Sequence, residues 1–315
     1  MTPPQVRTNV LRVLQIVVAL GLLVLLWHVA DGAEAARRLA GADPLWLAAA
    51  FIALTLQTVL SALRWRLTAA QLGIEINKRT ALREYYLSQI VNQALPGGVL
   101  GDAGRAVRAR AQAGLMASGQ AVVFERLAGQ TAIFVVLAVA FLATLAVPGG
   151  LDWPRWLLVP VAALITGGAA LALVLWTAAH LLPGKIGRWL SMMGRPLVQA
   201  LAAPEVRRWQ IGLSLGTALS NIAAFCFCAW AIGSSFTVVA ALALVPLILL
   251  TMLIPITISG WGLREGAAAA LFPIAGATAT EGLATSVAFG LIFLASVLPG
   301  FVLTGLSSAP STMKS

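Results

Sequence analysis

Six stretches of the chain are apolar over about the length that crosses a bilayer: residues 13–30, 45–63, 120–147, 156–182, 209–232 and 281–306. Within hydrocarbon no water is available to hydrogen-bond a free peptide group. A spanning segment must therefore be a helix or part of a closed barrel. Runs of 18 residues and more suit helices, since a spanning strand needs only about 9–11. Composition agrees: 60% of the 315 residues are hydrophobic and 10% are charged, against about 25% charged in soluble domains. The expectation is an all-α polytopic membrane protein, a single transmembrane domain over residues 1–315. No stretch between the spans is long enough for a soluble catalytic domain.

The formal net charge is +10. Such basicity suits nucleic acid in a soluble protein, but here Lys and Arg collect in a few loops, as the positive-inside rule requires. Arg64-Trp65-Arg66 reads as a basic aromatic belt closing the second span, with Lys78, Arg79 and Arg83 after it. Residues 183–208 add Lys185, Arg188, Arg195, Arg207 and Arg208 against one Glu205. These loops, and both termini, are placed in the cytoplasm, and the protein in the inner membrane. Ala33-Glu34-Ala35 resembles a signal-peptidase site, but the run before it is long for a signal core, so it is read as an uncleaved span. Cys226 and Cys228 lie within an apolar run and are assigned to packing, with no disulfide or metal framework; no cofactor is expected.

Two stretches interrupt this pattern. Residues 95–105 contain Pro96, Gly97, Gly98, Gly101, Asp102 and Arg105; residues 254–264 contain Pro255, Gly260, Gly262 and Arg264, followed by Glu265. Pro and Gly end helices. Laid over each other, the two share Pro, Gly and Arg in one register. Residues 81–95, with Asn92 and Gln93, are too short and polar for an ordinary span. They suit a helical hairpin over about 81–110 entering from the cytoplasmic side, or else an amphipathic surface helix. The second hairpin, about 236–276, enters from outside. Opposite orientations of one pattern suggest inverted repeats, with a site at their interface. Ser118 is a candidate cap for the helix that follows the first hairpin.

Charges at membrane depth cost on the order of 2.5–3.5 kcal/mol on insertion scales, so they pair or face a cavity. Arg105 and Arg264, with Arg126 and Asn92, are candidates to bind a lipid phosphate, since guanidinium groups grip phosphate bidentately. Asp102, Glu125 and Glu265 are candidates to balance that charge, couple protons or receive a cationic headgroup. Gln130 offers polar company, whereas Arg108 and Arg110 fit a membrane boundary. There is no Walker loop or His/Cys metal spacing.

Asn92-x-x-Leu95-Pro96-Gly97-Gly98-x-x-Gly101-Asp102-x-x-Arg105, then Glu125-Arg126, then Pro255-x-x-x-Ser259-Gly260-x-Gly262-x-Arg264-Glu265-Gly266, together resemble the lysylphosphatidylglycerol synthase transmembrane (flippase-like) family over about residues 10–306. The resemblance implies a stand-alone flippase-like form, without the soluble aminoacyltransferase domain of the larger relatives. Relatives often carry an acid shortly after the Glu-Arg pair, where this chain has Gly129-Gln130. That departure argues against assuming a lysyl-lipid substrate. The function expected is translocation of a phosphate-bearing lipid, a phospholipid or a polyprenyl-phosphate type, between leaflets. The alternatives are a membrane-embedded transferase acting on a lipid-linked headgroup, and a non-catalytic partner of envelope-biosynthesis enzymes.

Overall fold

A computed structural model describes residues 3–94, 99–147, 151–181, 184–254, 256–257 and 259–300. Among these residues every regular element is a helix. Five helices are long and apolar enough to cross a membrane: α3 (Pro44–Gln71), α5 (Leu100–Ala146), α6 (Arg155–Leu181), α8 (Arg207–Ala231) and α11 (Ala279–Val297). A sixth crossing arises if α1 (Pro3–Val29) and α2 (Gly32–Ala40), bent by 91° at a short break, count as one span. The remaining helices are α4 (Lys78–Ala94), α7 (Gly184–Ala202), α9 (Val238–Leu250) and α10 (Leu263–Leu271).

In lipid, helices gain little from burying apolar side chains against each other, so association depends on close packing of small residues. The antiparallel pair α3 and α8 shows this. Ala50, Ala53, Ser61 and Ala62 of α3 are buried, as are Ser214, Thr217, Ala218 and Ala224 of α8. By contrast α6 and the described part of α1 expose Val159, Leu171, Leu173, Ile16, Leu20 and Val24, a surface whose solvent is the acyl chains.

Hydrogen bonds fix which ends lie together. At one end the Asp43 N–H donates to the Ala231 carbonyl at 2.8 Å, and Arg38 pairs with Glu281 at 3.0 Å. At the other end Gln210 donates to Thr68 and to the Ala200 carbonyl, and Gln199 donates to the Gln71 carbonyl. This second end carries the basic loops. From it α4 rises into the bundle, and the first part of α5 returns. Gly114 then breaks α5 with φ 80° and ψ 171°, a region open to Gly alone, and Leu115 onward crosses to the far end. The helix restarts at Gly114 rather than at Ser118. Instead of capping, the Ser118 hydroxyl donates backwards to the Gly114 and Leu115 carbonyls.

The α9–α10 hairpin starts from the opposite end, where Phe236 stacks on Phe272 with ring centroids 4.2 Å apart. Its tip holds Ser259, Gly260 and Gly262 at φ 49°, 78° and 88°, so the chain reverses there by left-handed backbone. Pro96, Gly97, Gly98 and Pro255 lie outside the described residues. The two hairpins meet tip to tip: the Ser259 hydroxyl donates to the Asn92 carbonyl at 3.0 Å. Helix α4 packs against α3, α5 and α11, which corrects the surface-helix alternative for residues 81–95.

Candidate functional site

Helix α3 turns a polar stripe inward. Gln57, Ser61, Arg64 and Thr68, spaced by four and three residues, share one face and are all buried. Tyr85, Ser88 and Asn92 repeat that spacing on α4. With Asp102, Glu125, Arg126 and Gln130 of α5 and Asn221 of α8, the two stripes enclose a cavity of about 240 Å³. Ser259 from the second hairpin lines it, and Leu249, Leu253 and Phe293 give it an apolar wall.

Glu125 is 0% exposed. Its carboxylate accepts from Arg64 Nη2 at 2.6 Å and Nε at 3.2 Å, from Arg105 Nη2 at 3.3 Å and from the Tyr85 hydroxyl at 3.3 Å. Asp102 accepts from Ser88 at 2.8 Å, Asn92 at 3.3 Å and Arg105 at 3.0 Å, and it also pairs with Arg126. Three guanidinium groups thus share two carboxylates, and the cluster carries a formal +1. Donors are left over: Arg64 Nη1 and Arg105 Nε and Nη1 are buried with no hydrogen-bond partner. The Arg105 charge faces aromatic rings instead. Arg105 is sandwiched between Trp65 and Tyr85, at 4.5 and 4.6 Å from the ring centroids. Arg126 differs from the other two, since 42% of its side chain is exposed, into the cavity that it lines.

Two glycines make this packing possible. A Cβ on Gly101 would stand 2.0 Å from the Ser88 carbonyl oxygen, so Gly101 lets α5 touch α4 and donates its N–H to Asn92 at 2.7 Å. It is a contact residue in the first turn of α5 rather than part of the helix break. A Cβ on Gly129 would meet Arg64 Nη2 at 2.8 Å; the guanidinium lies across that glycine.

The second break is built differently. Arg264 and Glu265 are both buried and pair with each other at 2.5 Å. Ser286 accepts from Arg264 Nε at 2.9 Å and donates to Glu265 at 3.1 Å. The other oxygen of Glu265 accepts from the Gly262 N–H at 2.7 Å, capping α10. Room for Arg264 comes from Gly290, whose Cβ would stand 2.4 Å from Nη2. This pair is neutral and closed, and neither member lines the cavity. The expectation that Arg105 and Arg264 grip one phosphate is therefore corrected. Both are held by carboxylates of their own hairpin or its neighbours, and the cavity presents Arg64 and Arg126 instead.

Arg64 is the cavity residue that the sequence reading misplaced. Arg64 and Trp65 are buried, 3% and 1% exposed, not a belt at the membrane boundary, because α3 continues past residue 63 to Gln71. The polar spacing 57, 61, 64, 68 within an apolar helix was the signal that marks them. Arg108, outside the cavity, pairs with Glu84 at the basic end. Among the described residues no group of His, Cys, Asp and Glu is arranged to hold a metal ion.

Residues 12–300 match the family model described as the lysylphosphatidylglycerol synthase TM region. No curated protein and no solved structure matches the chain.

Proposed function

The chain belongs to the lysylphosphatidylglycerol synthase TM-region family, a membrane family tied to lipid modification or transport, and from that premise we propose that it binds a lipid by its phosphate group and carries it between leaflets. One observation carries the reading: a half-open polar cavity where two oppositely directed hairpins meet, lined by Arg64, Arg126, Asp102 and Glu125, with Arg105 bound to the two carboxylates from behind. A net positive charge enclosed in hydrocarbon is unfavourable until an anion joins it, and a phosphate offers the acceptor oxygens that the spare N–H groups lack.

In this reading Arg126 and Arg64 touch the phosphate. Arg105 holds Glu125 and Asp102 in place, and those two carboxylates keep the empty site from carrying +3. The apolar wall of Leu249, Leu253 and Phe293 receives the start of the acyl chains. Alternating exposure would come from the hairpins moving against α3 and α8, as in transporters built on broken helices. The basic end faces the cytoplasm of an inner membrane, with both termini on that side.

The test is a scrambling assay in proteoliposomes with fluorescent phospholipids, comparing wild type with Arg126→Gln. The half-exposed side chain can be changed without emptying a packed site, so the variant should fold. Transport should fall at least about tenfold, the usual effect of losing one charge-assisted contact of about 1.5–3 kcal/mol. Equal transport by the two proteins would remove Arg126 from the site, and no transport of any phospholipid would refute the class.

A further inference from the structure

The polar groups of the cavity also discriminate between headgroups, and the inference drawn from them rests on the lipid-phosphate reading above. A cationic headgroup needs a carboxylate that is free to face it. Among the described residues two carboxylates line the cavity, Asp102 and Glu125, and both are consumed. Glu125 accepts from two guanidinium groups and a phenol, and Asp102 from two guanidinium groups, a hydroxyl and an amide. With the phosphate bound the cluster is formally neutral, and an ammonium group would return it to +1 beside three guanidinium groups, with no free carboxylate to face and little water to screen it.

What remains uncommitted in the lining is neutral and two-faced. Gln93 and Gln130 line the cavity and, among the described residues, their side chains make no hydrogen bond to the rest of the protein. A carboxamide both donates and accepts, which matches a hydroxyl group and gives an ammonium only half of what it needs. Gln130 lies one turn after Arg126 on α5, so it is placed beyond the phosphate, where the rest of a headgroup extends.

We infer that the lipid carried has a phosphate joined to an uncharged, hydroxyl-bearing headgroup, of the glycerol, inositol or sugar type, and that aminated headgroups are disfavoured. Gln130 is the specificity residue. A carboxylate at that position, one turn from Arg126, would lower the charge of the cluster by one and so remove the like-charge penalty on an aminated headgroup.

The experiment uses the full-length protein in proteoliposomes carrying trace tail-labelled phosphatidylglycerol, phosphatidylinositol, phosphatidylethanolamine or lysylphosphatidylglycerol. Wild type should move the first two at least about tenfold faster than the last two, and Gln130→Glu should shift that ratio about tenfold toward the aminated lipids. Aminated lipids moving as fast as phosphatidylglycerol would overturn the headgroup assignment while leaving lipid transport intact. An unchanged ratio in Gln130→Glu would overturn the role of Gln130. Movement of no labelled lipid would refute transport and this inference with it. A last arm traps glycerol phosphate inside the vesicles. Its escape through the protein while the lipids stay in place would make a free phosphate ester the cargo and overturn the lipid form.

Discussion

Replacing Glu125 by Gln tests whether the charge cluster is held together as its geometry indicates. The change keeps the shape of the side chain but removes the charge that faces Arg64 at 2.6 Å and Arg105 at 3.3 Å. Charge centres about 4 Å apart attract by about 4 kcal/mol at an effective dielectric of 20, and the relief from desolvating a carboxylate offsets part of this. Removing one partner of a buried pair leaves a net cost of about 3–5 kcal/mol. With an unfolding entropy of about 2.1 cal/mol/K per residue, 1 kcal/mol corresponds to about 1.5 °C in a chain of this length. The apparent Tm in detergent, followed by circular dichroism, should therefore fall by about 5–8 °C. The double variant Arg64→Gln/Glu125→Gln returns the cluster to a formal +1 and should be more stable than Glu125→Gln alone. A single variant within about 1 °C of wild type, or a double variant that loses the sum of its singles, would refute a coupled network.

Gly101→Ala places a methyl group 2.0 Å from the Ser88 carbonyl oxygen, which backbone cannot yield. It should separate α4 from α5 and cost more than the usual 1–3 kcal/mol (about that range for ordinary overpacking), seen as loss of a monodisperse peak in size-exclusion chromatography. Glu265→Gln leaves Arg264 buried without its counter-charge and weakens the cap on α10. It should destabilise by about 3–5 kcal/mol, and in the fraction that folds the headgroup preference should stay as in wild type, since Glu265 does not line the cavity.

The positions of the two breaks were legible because Pro and Gly act locally. A missing N–H or a positive φ is a property of one residue, and Gly260 and Gly262 adopt the backbone that their type allows. The charged residues near the breaks were legible as costly in lipid. Their partners were not, because pairing depends on contacts far apart in sequence. Arg64 meets Glu125 across 61 residues and Ser259 meets Asn92 across 167. Arg64 was also ambiguous in kind. Arg-Trp-Arg after an apolar run serves equally as a boundary belt, and only the continuation of α3 to Gln71 turns its side chain into the bundle. Matching Arg105 with Arg264 by register compared positions along the chain, whereas the fold gives each a different neighbourhood: shared carboxylates and aromatic rings for the first, an adjacent glutamate and Ser286 for the second.

That difference assigns unlike duties to two breaks that look alike in sequence. Each places charge at a depth where water is scarce, and each must settle that charge within the protein. At the second break one acid meets one guanidinium, the remaining carboxylate oxygen caps a helix, and nothing is left over. Such a unit has no reason to recruit a ligand and every reason to stay rigid. At the first, three guanidinium groups meet two acids, and one of the three stands half exposed in a cavity. A hairpin neutralised internally can move as a body without altering its electrostatics, while one with a surplus charge binds an anion more tightly the less water surrounds it. Contact between the two tips through Ser259 and Asn92 then joins the neutral hairpin to the one with surplus charge. A shift of the α9–α10 hairpin would thereby reach the site through Asn92, whose side chain bonds both Asp102 and the Gly101 N–H.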